Sequence, residues 1–262
     1  MITSTSNAKV KRLVNLRKKR KLRDSENVFL VEGIRMFREA PEERLLEIYV
    51  TESFLEKQRA LVREKAQASG APVEIFSDAV FACASDTKTP QGILCVVRQM
   101  NYTREEVTGG KNPLLLALDN LQDPGNLGTI VRTAEGAGVT GIVMSKDCVD
   151  IYNPKTIRST MGSIYRMPYI YEENFTEALG ELKEKGIYTY AAHLEGACSY
   201  EEPDYHAGSA FFIGNEGNGL RGEVAECAQQ YIKIPMCGQV ESLNAAIAAA
   251  VLMFEAARQR RG

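Results

Sequence analysis

Residues 114–144 read LLLALDNLQDPGNLGTIVRTAEGAGVTGIVM, and the order of their parts decides the fold class. LLLALD opens with a continuous apolar run, the pattern of a strand buried on both faces of a parallel sheet. NLQDPGNLG is rich in Asn, Asp, Pro and Gly, the residues of turns, and reads as a loop. TIVRTAEGAG reads as a helix stopped by Gly138, and TGIVM as a second strand. Strand, helix and strand in this order argue a βαβ unit and therefore an α/β domain.

The pattern continues on both sides. Downstream, IYNPKTIRSTMG reads as a loop and helix, FTEALGELKEKG as a helix, and IYTYAAH and SAFFIG as strands. GLRGEVAECAQQ reads as a helix, YIKIP as a short strand, and a final helix runs from about Ser242. Upstream, NVFLVEG, LEIYV, PVEIF and GILCVV are strands that alternate with helices such as ESFLEKQRALVREKAQASG. The polar stretch RQMNYTREEVTGGKNP separates the two series. The expectation is a smaller α/β domain over 1–100, a linker over 101–112 and a larger α/β domain over 113–262.

Hydrophobic content of 44% and charged content of 25% place the 262-residue chain among ordinary globular proteins. No apolar run approaches a membrane span, and MITSTSNAKVKR lacks the apolar core of a secretory signal. Six scattered cysteines without a C-x-x-C, and only two histidines, argue against a disulfide framework or a zinc site. A cytoplasmic protein without metal is the expectation. The net charge of −2 hides an asymmetry: residues 1–100 carry 18 Lys+Arg against 13 Asp+Glu, and the remainder 14 against 21. Residues 1–23 hold nine basic residues and no acid. That density suits phosphates, with Lys9, Lys11, Arg12, Lys18, Lys19 and Arg20 as RNA-contact candidates. A solvated helix face is the plainer account of such a run.

Three polar loops follow buried-looking strands: DNLQDPGNLG, GNEGNGL and IPMCGQVESLNAA. Loops at the carboxyl ends of strands are where open α/β sheets bind ligands. They carry Asn126, Glu216, Ser242 and Asn244, with Arg132 just beyond the first. Ser242 also suits a helix N-cap, and the start of that helix suits a ligand, so both readings stand. No P-loop is present, and GNEGNG orders its glycines wrongly for a dinucleotide fingerprint.

Taken together, N126-L-G-T-I-V-R132-T-A134, I213-G-N-E216-G-N-G-L220 and I234-P-M-C-G238-Q-V-E-S242-L-N244-A-A match the three motifs of the SpoU family in order and spacing. The chain thus resembles RNA 2′-O-ribose methyltransferases of the SPOUT superfamily. TSTSNAKVKRLVNLRKKRKLRDSENVFLVEG is also similar to the N-terminal part of members that modify ribosomal RNA, whose small domain resembles a ribosomal-protein fold.

The resemblance implies a trefoil-knotted C-terminal domain that binds S-adenosylmethionine around Gly214, Ile234, Ser242 and Leu243, and dimerises. It implies Asn126, Arg132, Glu216 and Asn244 as catalytic residues, with Asn126 and Glu216 orienting Arg132 or the ribose. The implied substrate is RNA, with 23S ribosomal RNA ahead of transfer RNA. Two other classes are alternatives: a non-catalytic RNA-binding factor of the same fold, and a nucleotide-using α/β enzyme with unfamiliar loops.

Overall fold

The structure is a computed structural model that describes residues 1–261, and the chain forms two compact units. The first comprises Met1–Asn101 together with Asp150–Tyr165. Its elements are α1 (Ala8–Lys18), α2 (Arg20–Glu26), β1 (Val28–Glu32), α3 (Ile34–Glu39), β2 (Leu45–Thr51), α4 (Glu52–Ser69), β3 (Val73–Phe76), α5 (Asp78–Ala84) and β4 (Ile93–Arg98). The sheet order is β1-β4-β2-β3, with β4 antiparallel to both neighbours and β2 parallel to β3.

Helix α1 starts where the Asn7 side chain accepts from the Lys9 N–H, and it breaks at Lys19, whose backbone is extended. Val10, Leu13 and Leu16 recur every third residue, share one face and are fully buried with Phe76, Phe81 and Leu94. Burying each contributes roughly 1.5–3 kcal/mol relative to exposure. The apolar stripe of the basic segment is therefore a docking face, and its cations are left at the rim.

The second unit comprises Tyr102–Val149 and the chain from Arg166 onward. It begins with α6 (Arg104–Thr108), β5 (Leu114–Leu118), α7 (Pro124–Ala137) and β6 (Gly141–Ser145). The chain then supplies α8 (Pro154–Thr160) to the first unit. It continues with β7 (Tyr169–Glu172), α9 (Phe175–Glu184), β8 (Tyr188–Ala192), β9 (Cys198–Ser199), β10 (Ser209–Ile213), α10 (Gly222–Ala225), β11 (Gln230–Lys233) and α11 (Ala245–Arg261). The seven strands run in the order β7-β6-β5-β10-β8-β11-β9, and every pairing is parallel. β5, β6 and β10 are buried throughout, as a parallel sheet covered on both faces requires.

Strand order positions the site. From β5 the chain builds outward through β6 to β7, whereas β10 and β8 lie on the other side of β5. The reversal falls between β5 and β10, and the crevice outside such a switch point is where ligands bind in α/β sheets. The loops leaving these strands are DNLQ and GNEGNG.

Several local readings change. DPGN is not loop: Asp123 accepts from the Asn126 N–H, Pro124 sits at the first helical position, and α7 begins there. The stretch expected as a linker, 101–112, carries α6, and its Val107 is fully buried in the second core. The helix read over GLRGEVAECAQQ shortens to α10. Residues 150–165, read as part of the second domain, cluster with the first unit. Ser242 does not cap the last helix: Asn244 Oδ1 accepts from the Ala246 N–H at 2.9 Å, and α11 starts at Ala245.

Candidate active site

Glu216 lies at the tip of the loop after β10, where Asn215 and Gly219 exchange backbone hydrogen bonds. Its carboxylate reaches the loop after β5 and accepts from three donors there. These are the Gln122 N–H at 3.1 Å, the Asp123 N–H at 2.9 Å and Asn126 Nδ2 at 3.0 Å. Partial burial is the largest single influence and pushes its pKa up, but the bonds from Asn126, Asp123 and Gln122 outweigh it. The carboxyl group is held below its usual range and stays ionised. It is a fixed acceptor that pins the start of α7.

Asn244 completes the chain of contacts. Its Nδ2 donates to Asn126 Oδ1 at 3.1 Å while its own oxygen caps α11. Donor and acceptor ends of both amides are thereby assigned from the network. One residue from each of the three polar loops, Glu216, Asn126 and Asn244, thus forms a continuous relay. Arg132 does not join it. It lies six residues past Asn126, about 9 Å along α7 and on another side of the helix. It is exposed, and its side chain bonds no other described residue. Of the expectation that Asn126 and Glu216 orient Arg132 or the ribose, the contact with Arg132 is not made within one chain.

Of the four residues expected to hold a cofactor, Gly214 and Ile234 directly follow β10 and β11, and Ser242 and Leu243 lie just before α11. A side chain at Gly214 would collide with the backbone of Gly219 and Leu220, so only glycine lets the loop fold back. Ile234 follows β11 and is half-buried, Ser242 is exposed and Leu243 half-buried. From Ile234 to Leu243 no residue hydrogen-bonds another described residue. The backbone groups of this ten-residue stretch are therefore unpaired, and its Val240 side chain is exposed. Gly196 abuts the backbone of Ile232 and Lys233, which brings the loop after β8 against β11. Unpaired backbone groups beside apolar side chains fit a ligand with a polar chain and a flat heterocycle. No metal-binding cluster of His, Cys, Asp or Glu occurs among the described residues, and none of their helices is long and apolar enough to cross a membrane.

Sequence reasoning missed the support beneath this site. Asp119, fully buried at the end of β5, accepts from the Arg221 N–H at 2.9 Å and from Arg221 Nε at 2.8 Å. The hydrogen bond to Asp119 is the main reason the Arg221 pKa is raised. Asn215 Nδ2 donates to the Asn120 carbonyl at 2.8 Å. Both ends of the GNEGNG loop are thus tied to the loop after β5. The available signal was an acid closing an otherwise apolar strand, a position that demands a partner.

In the first unit the basic run divides by contact. Lys9 is paired with Glu74, and Arg12 holds both Glu26 and Glu47. The side chains of Lys11, Lys18 and Lys19, all exposed, bond no other described residue, and Arg20 faces Asp24 at 3.5 Å.

Comparison with known proteins agrees with this geometry. The profile of the SpoU rRNA Methylase family matches residues 113–254, and that of the MRM3-like substrate binding domain matches residues 7–95. The chain is 33% identical over 253 residues to the 23S rRNA (guanosine(2553)-2′-O)-methyltransferase RlmP of Bacillus subtilis, covering 97% of each. It is 33% identical over 230 residues to the 23S rRNA (guanosine-2′-O-)-methyltransferase RlmB of Bordetella pertussis, covering 86% of this chain and 93% of that one. Among solved structures, an AdoMet-bound rRNA methyltransferase from Sinorhizobium meliloti superposes with a TM-score of 0.88 at 30% identity, over 98% of this chain and 97% of that one. The SpoU methyltransferase AviRb from Streptomyces viridochromogenes, in complex with AdoMet, does so with 0.88 at 25% identity, over 98% and 99%.

Proposed function

The chain belongs to the SpoU rRNA methylase family, and we propose from that premise that it transfers a methyl group from S-adenosylmethionine to a ribose 2′-OH of 23S ribosomal RNA. The observation that carries the reading is the relay Glu216–Asn126–Asn244, which joins the three motif loops at the switch point of the sheet. When bound, S-adenosylmethionine supplies a sulfonium-activated methyl that an alkoxide-like oxygen can attack. The unpaired backbone of Ile234–Leu243, with Gly214 and Ser242, would hold it, and Leu243 and Ile234 would flank the adenine.

The chain's own residues would then align the 2′-oxygen and stabilise its developing charge. Asn126 and Asn244 each donate one N–H within the relay, which leaves each amide a second N–H for ribose or phosphate. Arg132 is the cation that would face the 2′-oxygen. A guanidinium keeps its proton with a pKa above about 12, so it acts by charge and hydrogen bonds while water or phosphate takes the proton. Because Arg132 points away from the relay of its own chain, we place it in the site of a second copy. The exposed Ile247 and Phe254, one heptad apart on α11, supply an apolar stripe for that homodimer. Strand β10, inserted between β5 and β8, supports a trefoil knot in this unit. The exposed lysines of the first unit would grip RNA, and the cytoplasm is where this reaction belongs.

The test is methyl transfer from labelled S-adenosylmethionine to an unmodified 23S rRNA transcript, with the product mapped for 2′-O-methyl groups. Label on the base, or label on transfer RNA only, would overturn the substrate assignment.

A further inference from the structure

Three stretches far apart in the sequence meet in the first unit around a cavity of about 20 Å³. Its lining includes Arg17 at the end of α1, Asp86 in the loop after α5, and Ile157 and Arg158 on α8. Helix α8 lies inside the part of the chain that matches the methylase profile, yet it is anchored here. Tyr152 and Tyr165 pack beside Phe29 with ring centroids 4.5 and 6.4 Å away. Asp150 pairs with Arg23, which is 4% exposed and also donates to the Leu16 carbonyl at 2.6 Å. Arg158 pairs with Asp86 at 2.5 Å, and Arg17 donates to the carbonyls of Cys83, Ala84 and Ser85. The end of α1, the loop after α5 and α8 are thus bound to one another by side chains.

Four cations, Arg17, Lys18, Lys88 and Arg158, and two acids, Glu32 and Asp86, gather at this junction. Glu32 is already occupied, accepting from the Ser85 hydroxyl at 2.6 Å, the Thr87 hydroxyl at 2.5 Å and the Asp86 N–H at 3.2 Å. Asp86 is occupied by Arg158. Lys18 and Lys88 are exposed, and their side chains bond no other described residue. Lys88 lies three residues beyond Ser85, within roughly 10 Å of it, and Lys18 follows Arg17 directly. The loop that carries Lys88 is held through Glu32 and Arg158, so its cation is presented from a fixed base.

We propose that the backbone of the substrate RNA crosses this junction, with Lys18, Lys88 and Arg158 contacting successive phosphates. Helix α8 then gives the catalytic half of the sequence a direct part in substrate binding, outside the basic run near the N-terminus. The inference rests on RNA being the substrate. Arg158 suits the role because a guanidinium has five N–H donors and spends one on Asp86, which leaves others for a phosphate.

The experiment uses the full-length protein and an unmodified 23S rRNA transcript, titrated at several salt concentrations. Lys88→Ala should lower the slope of log affinity against log salt by roughly 0.7–0.9, and affinity several-fold, because one fewer counterion is released. Arg158→Gln alone would leave Asp86 unpaired, so Asp86→Asn/Arg158→Gln replaces both charges; it should keep the melting temperature and lose a similar slope. Arg59→Ala, an exposed cation on α4, is the control and should change neither. S-adenosylmethionine affinity should stay within twofold in every variant. Unchanged slopes in Lys88→Ala and the double variant, or an equal loss in Arg59→Ala, would overturn the proposal. A wild-type protein that neither binds nor methylates the transcript would remove the RNA reading itself, a failure seen before any variant is compared.

Discussion

The side-chain amide of Asn126 donates to the Glu216 carboxylate at 3.0 Å, joining residues ninety positions apart in the chain. With the Gln122 and Asp123 N–H groups on the same carboxylate, both oxygens of Glu216 are engaged. It holds Asn126 and the first turn of α7, and the bonds that lower its pKa make it a weak proton acceptor.

Glu216→Gln keeps the shape of the side chain but turns one acceptor into a donor that faces N–H groups. Losing hydrogen bonds to a charged acceptor costs about 1.5–3 kcal/mol each in partly buried sites. Turnover on the rRNA transcript should fall roughly 10- to 100-fold. A variant with wild-type turnover would show that the relay is not needed for alignment.

The same carboxylate makes a pH prediction. A folded pKa held below the unfolded value, about 4.3 for Glu, stabilises the protein fully above that value. The contribution is lost as pH falls through the folded pKa. The gap in melting temperature between wild type and Glu216→Gln should be widest near neutrality and close progressively once pH drops below about 4.3. A gap that is constant from neutral to acid pH would contradict the assignment.

Asp119→Asn leaves Arg221 facing a neutral amide at a fully buried position. Arg221 is 39% exposed and water takes up part of its charge, so losing the charged acceptor costs roughly 1.5–3 kcal/mol and the melting temperature should drop by about 3–12 °C in a protein of this size. Arg221→Ala should lose a similar amount, and the double variant less than their sum. Strict additivity in thermal melts would mean that the two do not act as a pair.

The basic run should divide in function as it divides in contact. Lys18→Glu with Lys19→Glu should weaken RNA binding and flatten its salt dependence while the melting temperature holds. Arg12→Ala should lower the melting temperature and barely change the salt slope, because its guanidinium serves Glu26 and Glu47. Reversed behaviour would put Arg12 on the RNA.

Arg132→Lys should retain S-adenosylmethionine binding by calorimetry and lose most turnover, since lysine lacks the planar fork. Consider also a mixture of an Arg132→Ala chain with a Leu243→Arg chain whose cofactor loop is blocked. If Arg132 serves the partner's site, one competent site reappears in each mixed dimer. Activity that stays at the homodimer background, after two-tag purification of the mixed species, would return Arg132 to its own chain.

The α/β class and all three site loops were legible because buried parallel strands read as apolar runs, and the polar residues at their ends have no packing role. The same logic failed where a residue serves two masters. Ser242 looked like the cap, but Asn244 both caps α11 and reaches Asn126, a geometry no spacing announces. Composition alone could not divide the basic run, because Glu26, Glu47 and Glu74 lie on separate elements. Asp119 looked like the end of a strand, since its partner is 102 residues away.

The first unit takes residues from two separated stretches of one gene, and this limits how it can be inherited. A chain beginning at residue 102 would still synthesise Tyr152, Ile157, Ile164 and Tyr165, all buried in the whole protein, without Phe29 and Met36 to receive them. Such a truncation would expose an apolar, aromatic surface of the kind that drives aggregation. Recombination that exchanged the N-terminal domain between relatives would have to exchange the 150–165 stretch as well. The first unit is therefore not a detachable cassette, and it must evolve in step with a helix encoded inside the stretch that matches the methylase family.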